Sequence, residues 1–372
     1  MSARFLTAVS GRAFNMRDRF GREIDYMRIS VIDSCNLNCY YCNPQDNNKN
    51  CQAINILSVK KVLCIVRAAT RLGITHFRLT GGEPLLHPQI DEMVSQIKKI
   101  PGVRSVSLTT NAVLLAQHAK QLKEAGIDSI NVSLDTIDAS EYEYITKKPL
   151  LDKVEHGIDA AIECGIRVKI NAVLTPQTDV VALTRYASKK GTDIRFIEMM
   201  PVGEGHTNGV EPYKKVIGAL LEVYGTPCHI DTENREEINS GYNNSDNGPA
   251  EYYSFHGLNI RVGLIQAIHG KFCDTCNRIR VTADGRLMPC LGSSVTMDLV
   301  PDSCEFTDDL EKDFVIVQAL KAAIKAKPGC HNFNDNAVTY TKTTETKTVE
   351  TKATELKAAE VNAARNMSRI GG

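Results

Sequence analysis

The most constraining feature of the sequence is a regular alternation, between residues 26 and 198, of short β-branched runs with longer amphipathic stretches. The runs predict strands and the stretches predict helices, three of which stop at Gly73, Gly126 and Gly165. Strands that alternate with helices pair in parallel through right-handed crossovers. The sequence therefore predicts an α/β fold, either an open doubly wound sheet or a barrel-like one. The predicted strands span 27–32, 76–80, 103–109, 129–133, 167–173 and 193–198, and the predicted helices 58–72, 89–100, 116–125, 151–164 and 180–190.

Polar residues follow directly after four of the predicted strands. Because the carboxyl ends of parallel strands meet at one edge of the sheet, α/β folds place their active sites there. The sequence therefore predicts a site at this edge, and it contains no G-x-G-x-x-G dinucleotide fingerprint. The polar groups are Asp33-Ser34-Cys35, Gly81-Gly82-Glu83-Pro84, Thr109-Thr110-Asn111 and Leu134-Asp135.

Charge and cysteine content narrow the class of protein. Lys plus Arg and Asp plus Glu both number 44, and this balance argues against a chain-wide electrostatic binder of nucleic acid or membranes. No apolar run approaches the ~18 residues of a membrane span and no signal peptide is visible, so we expect a cytoplasmic protein, with only a faint organelle-targeting character in the acid-free start. Twelve cysteines in such a chain favour metal ligands over disulfides. Six are scattered and are predicted to be buried core thiols: Cys51, Cys64, Cys164, Cys228, Cys304 and Cys330.

A first trio, Cys35, Cys39 and Cys42, follows the first predicted strand with the spacing C-x3-C-x2-C. A closed structural zinc site needs four ligands. A cubane iron–sulfur cluster held by only three cysteines leaves one iron free for an exchangeable ligand, which indicates reactivity. A zinc site completed by a distant histidine is the alternative that the spacing leaves open.

The residues around this trio resemble the signature of radical S-adenosylmethionine (SAM) enzymes, including the aromatic Tyr41 before the third cysteine. The turn Thr80-Gly81-Gly82-Glu83-Pro84 resembles the second motif of that superfamily, where backbone groups approach the methionine amino group and a Cβ would block them. The resemblance implies a partial (β/α)6 TIM-like barrel. It also implies reductive cleavage of SAM to a 5′-deoxyadenosyl radical, with the protein positioning substrate and excluding solvent.

A second trio, Cys273, Cys276 and Cys290, again supplies three sulfurs, and a zinc knuckle borrowing His269 or His256 is the alternative from spacing. The residues 272–287 around it resemble the GTP 3′,8-cyclases of molybdenum cofactor biosynthesis. In that family a second [4Fe–4S] cluster lacking a fourth cysteine binds the substrate purine. Further segments resemble the same family, namely 18–22, 26–30, 130–135, 195–200 and the terminal 367–372.

Carried over position by position, the resemblance implies a role for each matching residue. The first cluster would be held by Cys35, Cys39 and Cys42, and the second by Cys273, Cys276 and Cys290. The residues implied for SAM are Tyr41, Gly82, Ser133 and Met200, and those implied for GTP are Arg28, Arg78, Thr109, Lys169, Arg278, Ile279 and Arg280. The residues implied in catalysis are Arg28, Arg278, Arg280 and the terminal Gly371 and Gly372. The charges agree with the ligand, because a triphosphate needs arginine forks and a lysine point charge.

The resemblance implies conversion of GTP to (8S)-3′,8-cyclo-7,8-dihydroguanosine 5′-triphosphate. It implies a homodimer, an electron donor such as flavodoxin or ferredoxin, and a downstream cyclic pyranopterin monophosphate synthase. A peptide-modifying radical SAM enzyme with an auxiliary cluster and a zinc-stabilised binding protein without redox chemistry are the other hypotheses. Iron content and release of 5′-deoxyadenosine with GTP would separate the three.

The sequence also predicts a division of the chain. We expect a mobile arm at 1–17, the partial barrel at 18–202, and an α+β extension carrying the second cluster at 203–331. A Thr/Lys/Glu/Ala-rich run makes 332–366 a flexible tether, longer than is usual in the family, and 367–372 a tail that reaches the active site. Ala112 stands where the family commonly has glycine, and Ser34 where many relatives carry arginine.

Overall fold

The computed structural model describes residues 16–42, 54–201, 210–230, 248–293, 295–299, 309–331 and 333. The predicted arm up to residue 15, most of the predicted tether and the tail at 367–372 lie outside these residues, as do Cys51 and Cys304. None of the helices in the described part is both long enough and apolar enough to span a membrane.

The described residues form twelve strands and eight α-helices. The strands are β1 (Tyr26–Ser30), β2 (His76–Thr80), β3 (Ser105–Thr110), β4 (Ser129–Ser133), β5 (Val168–Val173), β6 (Asp193–Ile197), β7 (Cys228–Ile230), β8 (Glu251–Ser254), β9 (Val262–Ile265), β10 (Arg278–Val281), β11 (Arg286–Met288) and β12 (Met297–Asp298). The helices are α1 (Val59–Thr70), α2 (Ile90–Lys98), α3 (Leu115–Ala125), α4 (Ala139–Thr146), α5 (Leu151–Glu163), α6 (Val180–Lys190), α7 (Pro212–Tyr224) and α8 (Asp309–Ala326).

The six strands predicted from the sequence lie side by side in chain order, and each pairs in parallel with the next. A doubly wound sheet reverses its strand order at a switch point, and β1 to β6 show no reversal. The helices between them pack on one another, α1 on α2, α2 on α3 and α3 on α5. The barrel-like alternative is therefore confirmed, and the fold is a partial (β/α)6 barrel.

The residues after 210 extend this same sheet at both edges. Strand β10 pairs in parallel with β1, and β9 pairs in parallel with β6, while β11, β12, β8 and β7 continue outward in antiparallel pairs. Helix α8 packs against α1. The predicted extension thus shares its hydrogen-bonded ladder with the barrel and has no separate sheet among the described residues.

Side-chain alternation places a hydrophobic layer outside the sheet and a polar layer inside it. In β1, Met27 and Ile29 are fully buried in the hydrophobic core, and Arg28 between them lies on the opposite face. In β2, Phe77 and Leu79 are likewise buried around Arg78. Barrel interiors are more often filled with Val, Ile and Leu, so arginines on this inner face indicate a site for an anion.

Helix α4 was missed by the sequence analysis. Its start is capped by Asp138, whose carboxylate accepts a hydrogen bond from the Glu141 amide at 2.8 Å. Its apolar face contributes only Tyr142, Ile145 and Thr146 to the interior. Eight residues give too short a window for a helical period to stand out, but the Asp cap with Glu at the third helical position was an available signal.

The prediction that the scattered cysteines are buried core thiols is only partly confirmed. Cys64 is buried in α1, and Cys164 is half-buried where α5 ends. Cys228 and Cys330 are exposed, so the prediction is wrong for both. Cys228 begins β7 at the outer edge of the sheet, and Cys330 lies beyond the last turn of α8.

Candidate active site

A cavity of about 620 Å³ opens at the carboxyl ends of the barrel strands and continues to β10. Both cysteine trios line it, although they are more than 230 residues apart in the chain. The parallel pairing of β10 with β1 produces this arrangement, since Tyr26 lies opposite Arg278 in the register. The first trio follows the carboxyl end of β1, as the sequence predicted, whereas Cys273 and Cys276 precede β10 and therefore lie at the amino ends of the paired strands.

The loop that carries the first trio is fixed by backbone hydrogen bonds to the end of α4. The amides of Asn38 and Tyr40 donate to the carbonyl oxygens of Thr146 and Ile145, at 3.0 and 3.1 Å. The short helix missed in the sequence is therefore the support of this loop. A rigid support matters, because ordering a flexible loop costs conformational entropy, and that cost would weaken metal binding.

The three thiols of the first trio lie close enough to influence one another. Burial, followed by the charges of Glu83 and Cys42, raises the pKa of Cys35 to about 11. Burial and nearby anionic groups also raise the pKa values of Cys39 and Cys42. Iron–sulfur clusters require thiolates. Burial, and to a smaller extent the anionic neighbours, disfavours these thiolates, and the positive charge of bound iron would offset both effects. The donor set therefore fits a cluster.

The paired glycines of the second motif are needed for packing within the chain itself. A Cβ on Gly82 would clash with the Ser34 carbonyl, and one on Gly81 would clash with the Ile32 carbonyl. The Gly82 amide donates to the Ile32 carbonyl at 2.7 Å, and the Glu83 amide donates to Ser34 at 2.8 Å. The absence of side chains at Gly81 and Gly82 therefore lets the turn after β2 pack directly against the loop that carries the first trio.

Glu83 ties this turn to the end of β3. Its buried carboxylate accepts hydrogen bonds from the Thr110 hydroxyl at 2.6 Å, the Asn111 amide at 2.7 Å and the Leu85 amide at 3.0 Å. The Asn111 side chain in turn donates to Asn36 at 2.7 Å, between the first two cysteines of the trio. Burial raises the pKa of Glu83 to about 7, although these three hydrogen bonds oppose the shift. The sequence analysis gave Glu83 no role.

All four residues implied for SAM line the cavity, on the side of the first trio. The Tyr41 hydroxyl donates to a carboxylate oxygen of Asp135 at 2.5 Å, and the Val173 amide donates to the other oxygen at 2.8 Å. Burial raises the pKa of Asp135 to about 6. Asp135 thereby fixes the ring of Tyr41, which lines the same cavity as Ser133 and Met200.

The second trio lies on the opposite side of the cavity, against cationic side chains. Burial would raise the pKa of Cys276, but Arg278 and Lys327 outweigh it and lower the pKa to about 7. Burial raises the pKa of Cys273. A thiolate is therefore favoured at Cys276, which suits metal ligation. Across the described residues, no three His, Cys, Asp or Glu side chains are arranged to hold a single metal ion.

Three of the arginines implied for GTP form a row across adjacent strands. Arg28 of β1 lies opposite Arg280 of β10 on one side and Arg78 of β2 on the other. Arg78 also donates to the hydroxyls of Tyr26 and Thr109, the latter at 3.4 Å. Arg278 lies over the Phe272 ring, with its guanidinium carbon 4.9 Å from the ring centre. All of these residues line the cavity.

Several of the guanidinium nitrogens facing this side are buried without a hydrogen-bond partner. They are Nε of Arg278, one terminal nitrogen of Arg280 and one of Arg195. A buried donor without a partner costs free energy, so the arrangement fits a ligand rich in acceptor oxygens. Burial and the charge of Arg278 lower the pKa of Arg280 to about 10, which still leaves it protonated at neutral pH.

Arg195 is a site residue that the sequence analysis did not assign. Its Nε donates to the Asn171 side chain at 2.9 Å, and it lines the cavity from β6. The segment 195–200 resembles the family, but the resemblance implies no role for Arg195. An arginine in the middle of a strand buried on both faces was the available signal, since such residues are rarely buried without a role.

Two residues implied for GTP do not line the cavity. Lys169 is buried on β5, two residues before the cavity-lining Asn171 and on the same face. Burial, with the charge of Arg195, lowers the pKa of Lys169 to about 5. The Ile279 side chain lies in the hydrophobic core, so only its backbone is available to a ligand. Gly371 and Gly372 lie outside the described residues.

The acidic residues of the cavity are engaged by the protein itself. Glu83 and Asp135 make the contacts given above, and Asp33 accepts from the Asn55 side chain at 2.6 Å and its amide at 3.1 Å. Glu198 pairs with His269 and accepts from the Ile268 amide at 2.7 Å. The carboxylates of the cavity are thus occupied, whereas Arg195, Arg278 and Arg280 each keep a buried donor without a partner, so this part of the cavity favours anions.

Comparison with known proteins agrees with this geometry. Residues 29–183 match the radical SAM superfamily, and residues 192–333 match the Molybdenum Cofactor Synthesis C family. A GTP 3′,8-cyclase of Clostridium perfringens is 36% identical over 322 residues, covering 86% of this chain and 95% of the relative. One from Clostridium acetobutylicum is 35% identical over 340 residues, covering 88% and 98%.

Among solved structures, Streptococcus suis SuiB is similar with a TM-score of 0.54 and 16% identity. The match covers 80% of this chain and 65% of SuiB, and it concerns the fold alone. The sequence relatives are more specific, because their matches cover 86% and 88% of this chain and 95% and 98% of the relatives. The two family matches contain the first and the second cysteine trio, respectively. On this identity and coverage, the chain belongs to the GTP 3′,8-cyclase family of radical SAM enzymes.

Proposed function

We propose that the protein converts GTP to (8S)-3′,8-cyclo-7,8-dihydroguanosine 5′-triphosphate, an early step of molybdenum cofactor biosynthesis. One observation carries the proposal: two cysteine trios and a row of buried arginines line a single cavity. The family relatives, which carry the name GTP 3′,8-cyclase, support it.

Cys35, Cys39 and Cys42 would hold one [4Fe–4S] cluster, and Cys273, Cys276 and Cys290 would hold the second. With one electron from an external donor, a cluster at the first trio and bound SAM would supply the radical chemistry that removes a hydrogen atom from the ribose. Tyr41, Gly82, Ser133 and Met200 would hold SAM beside the first trio. Asp135 orients Tyr41 and Glu83 fixes the glycine turn, so the SAM site is preorganised.

The arginines on the other side of the cavity would bind and orient GTP. Arg28, Arg78 and Arg280 at one level of the sheet, with Arg278 and Arg195, offer planar forks to phosphate oxygens. Thr109, Lys169 and the backbone at Ile279 would complete the site. Holding the base and ribose in register is the main catalytic task of these residues, since ring closure within one nucleotide is sensitive to small displacements.

The same proposal includes the partners of the protein and the role of its C-terminal tail. We propose a cytoplasmic homodimer that receives electrons from a flavodoxin- or ferredoxin-like protein. Its product would pass to a cyclic pyranopterin monophosphate synthase. The tail with Gly371 and Gly372 would reach the cavity from the end of the tether, where residues without side chains can approach substrate closely.

The test is anaerobic reconstitution followed by an assay with SAM, reductant and nucleotide. We expect about eight irons per chain, as two cubane clusters require, and release of 5′-deoxyadenosine and cyclised product with GTP but not with ATP. Iron-free protein containing zinc would overturn the proposal in favour of a zinc-binding protein. Two clusters with 5′-deoxyadenosine release on a peptide substrate, and no turnover of GTP, would favour a peptide-modifying enzyme.

A further inference from the structure

Two buried cations outside the cysteine motifs surround the second trio. Lys327 lies directly after α8 and is 2% exposed, and Arg22 lies before β1 and is 8% exposed. Neither belongs to the row of arginines on the inner face of the barrel. Burying a cation is costly unless its donors find acceptors, and both side chains make hydrogen bonds to backbone carbonyls near the trio.

The Lys327 ammonium joins the two segments that carry Cys276 and Cys290. Its Nζ donates to the Arg278 carbonyl at 2.8 Å, two residues after Cys276. It also donates to the Pro289 carbonyl at 2.9 Å, directly before Cys290. The charge of Lys327 also acts on the Cys276 thiol and lowers its pKa. The two carbonyl oxygens hold the ammonium between the segments that carry Cys276 and Cys290.

Arg22 makes a matching set of contacts around Cys273. Its guanidinium donates to the carbonyl of Cys273 at 2.7 Å and to those of Pro328 and Gly329 at 2.6 and 3.0 Å. A fourth bond, from Nε to the Asp18 carboxylate at 2.6 Å, orients the fork. Arg22 therefore fastens the third cysteine segment to the chain just beyond Lys327.

We propose that Lys327 and Arg22 are positioning residues of the second cluster, holding its three ligand segments together, and that the charge of Lys327 stabilises the reduced cluster. This inference rests on the proposed function in one respect, the presence of a cluster on the second trio. Cys273 and Cys276 lie three residues apart before β10, whereas Cys290 follows β11, and local spacing does not fix its distance from the other two. The end of α8 is the common anchor for all three.

The positive charge of Lys327 should raise the reduction potential of a cluster on the second trio. A cubane with three thiolates carries net negative charge, which increases on reduction, so a nearby cation stabilises the reduced state and raises the reduction potential. The first trio lacks such a cation among its described contacts; its charged neighbours are the carboxylates Glu83 and Asp135. The two clusters are thus placed in opposite electrostatic surroundings.

The experiment compares Lys327→Met with Lys325→Met, which removes an exposed lysine from the last turn of α8. Both variants are reconstituted anaerobically as full-length protein, and iron content and the midpoint potential of each cluster are measured by redox titration followed by electron paramagnetic resonance. For Lys327→Met we expect either iron falling from about eight towards about four per chain, or a retained second cluster with a more negative potential. The first cluster and the Lys325→Met protein should match wild type.

An unchanged iron content together with an unchanged second potential in Lys327→Met would overturn the inference. If that variant loses both clusters because it does not fold, Arg22→Lys takes its place, since it keeps a cation but cannot serve three carbonyls and Asp18. Selective loss of the second cluster in Arg22→Lys supports the inference, and full iron content contradicts it. Wild-type protein with only four irons, or without turnover of GTP, would instead count against the proposed function.

Discussion

At the scale of single residues, the site is held by a few side chains in strained or costly positions. Ala112 adopts a left-handed backbone with a φ of 63°, directly after the Asn111 that reaches the first trio. Lys169 is buried with a depressed pKa, as described above. Both positions lower the stability of the fold, and both lie next to residues of the site.

Replacing Ala112 with glycine should stabilise the protein. The left-handed conformation costs a residue with a Cβ roughly 1–2 kcal/mol, so glycine relieves this strain. The greater conformational entropy of glycine in the unfolded chain offsets part of the resulting stabilisation. We expect a net increase of about 0.5–1 kcal/mol in the free energy of unfolding, measured by urea denaturation. Ala116→Gly in the helical α3 is the control and should destabilise by a similar amount. Equal effects of the two changes would contradict the prediction.

Binding of GTP should take up a proton at Lys169. Its pKa of about 5 leaves the amine neutral at pH 7, and a bound triphosphate would restore the charge. The affinity of wild type relative to Lys169→Met should therefore fall as the pH rises from 6 to 8, by up to ~10-fold per pH unit. Calorimetry in two buffers of different ionisation enthalpy measures the uptake, and the variant cancels the titration of GTP itself. Equal proton uptake by both proteins would refute the role.

At the scale of elements, the loops that follow β1, β2 and β3 hold one another in place through close packing and hydrogen bonds. The turn after β2 lies on the loop after β1 through Gly81 and Gly82, and the loop after β3 is tied to both through Glu83 and Asn111. Helix α4 holds the trio loop from outside. The first cluster site is therefore a property of four interlocked elements.

Replacing Gly82 with alanine should remove the first cluster and spare the second. The added Cβ would clash with the Ser34 carbonyl and push the β2 turn away from the trio loop. We expect iron to fall from about eight to about four per chain, with a stability loss of about 1–3 kcal/mol. Gly218→Ala in α7 is the matched control, because its Cβ would meet nothing within 4 Å. Full iron content in Gly82→Ala would show that the turn can move without harm.

At the scale of the whole molecule, the region after residue 210 completes the barrel. Strands β10 and β9 cover the two edges of the six-stranded sheet, and exposed edges leave backbone groups unpaired. Asp313 of α8 also pairs with Arg71 next to α1, at 2.8 Å. The fold therefore couples the two halves of the sequence.

A chain ended after residue 201 should not fold cooperatively. It would lose the partners of β1 and β6 and the helix that covers α1. We expect a broad thermal transition by circular dichroism, aggregation, and no stable iron at the first trio. A sharp two-state transition with about four irons bound would show instead that the barrel is an independent domain, as a boundary near 202 implies.

The sequence alone determined the parallel α/β pattern and the two cysteine trios, because periodicity and ligand spacing are local properties of the chain. The residues implied for SAM and GTP came from the family resemblance, and most of them line the cavity. Tertiary structure decided the rest. Only the pairing of β10 with β1 brings Cys273, Cys276 and Cys290 to the same cavity as the first trio. Arg195, Glu83, Lys327 and α4 gained their roles from contacts between segments distant in sequence, and such contacts leave no periodic signature. Short motifs in the sequence identify the candidate cluster ligands. The residues that hold those ligands in place are set by long-range packing, which a local sequence pattern does not specify.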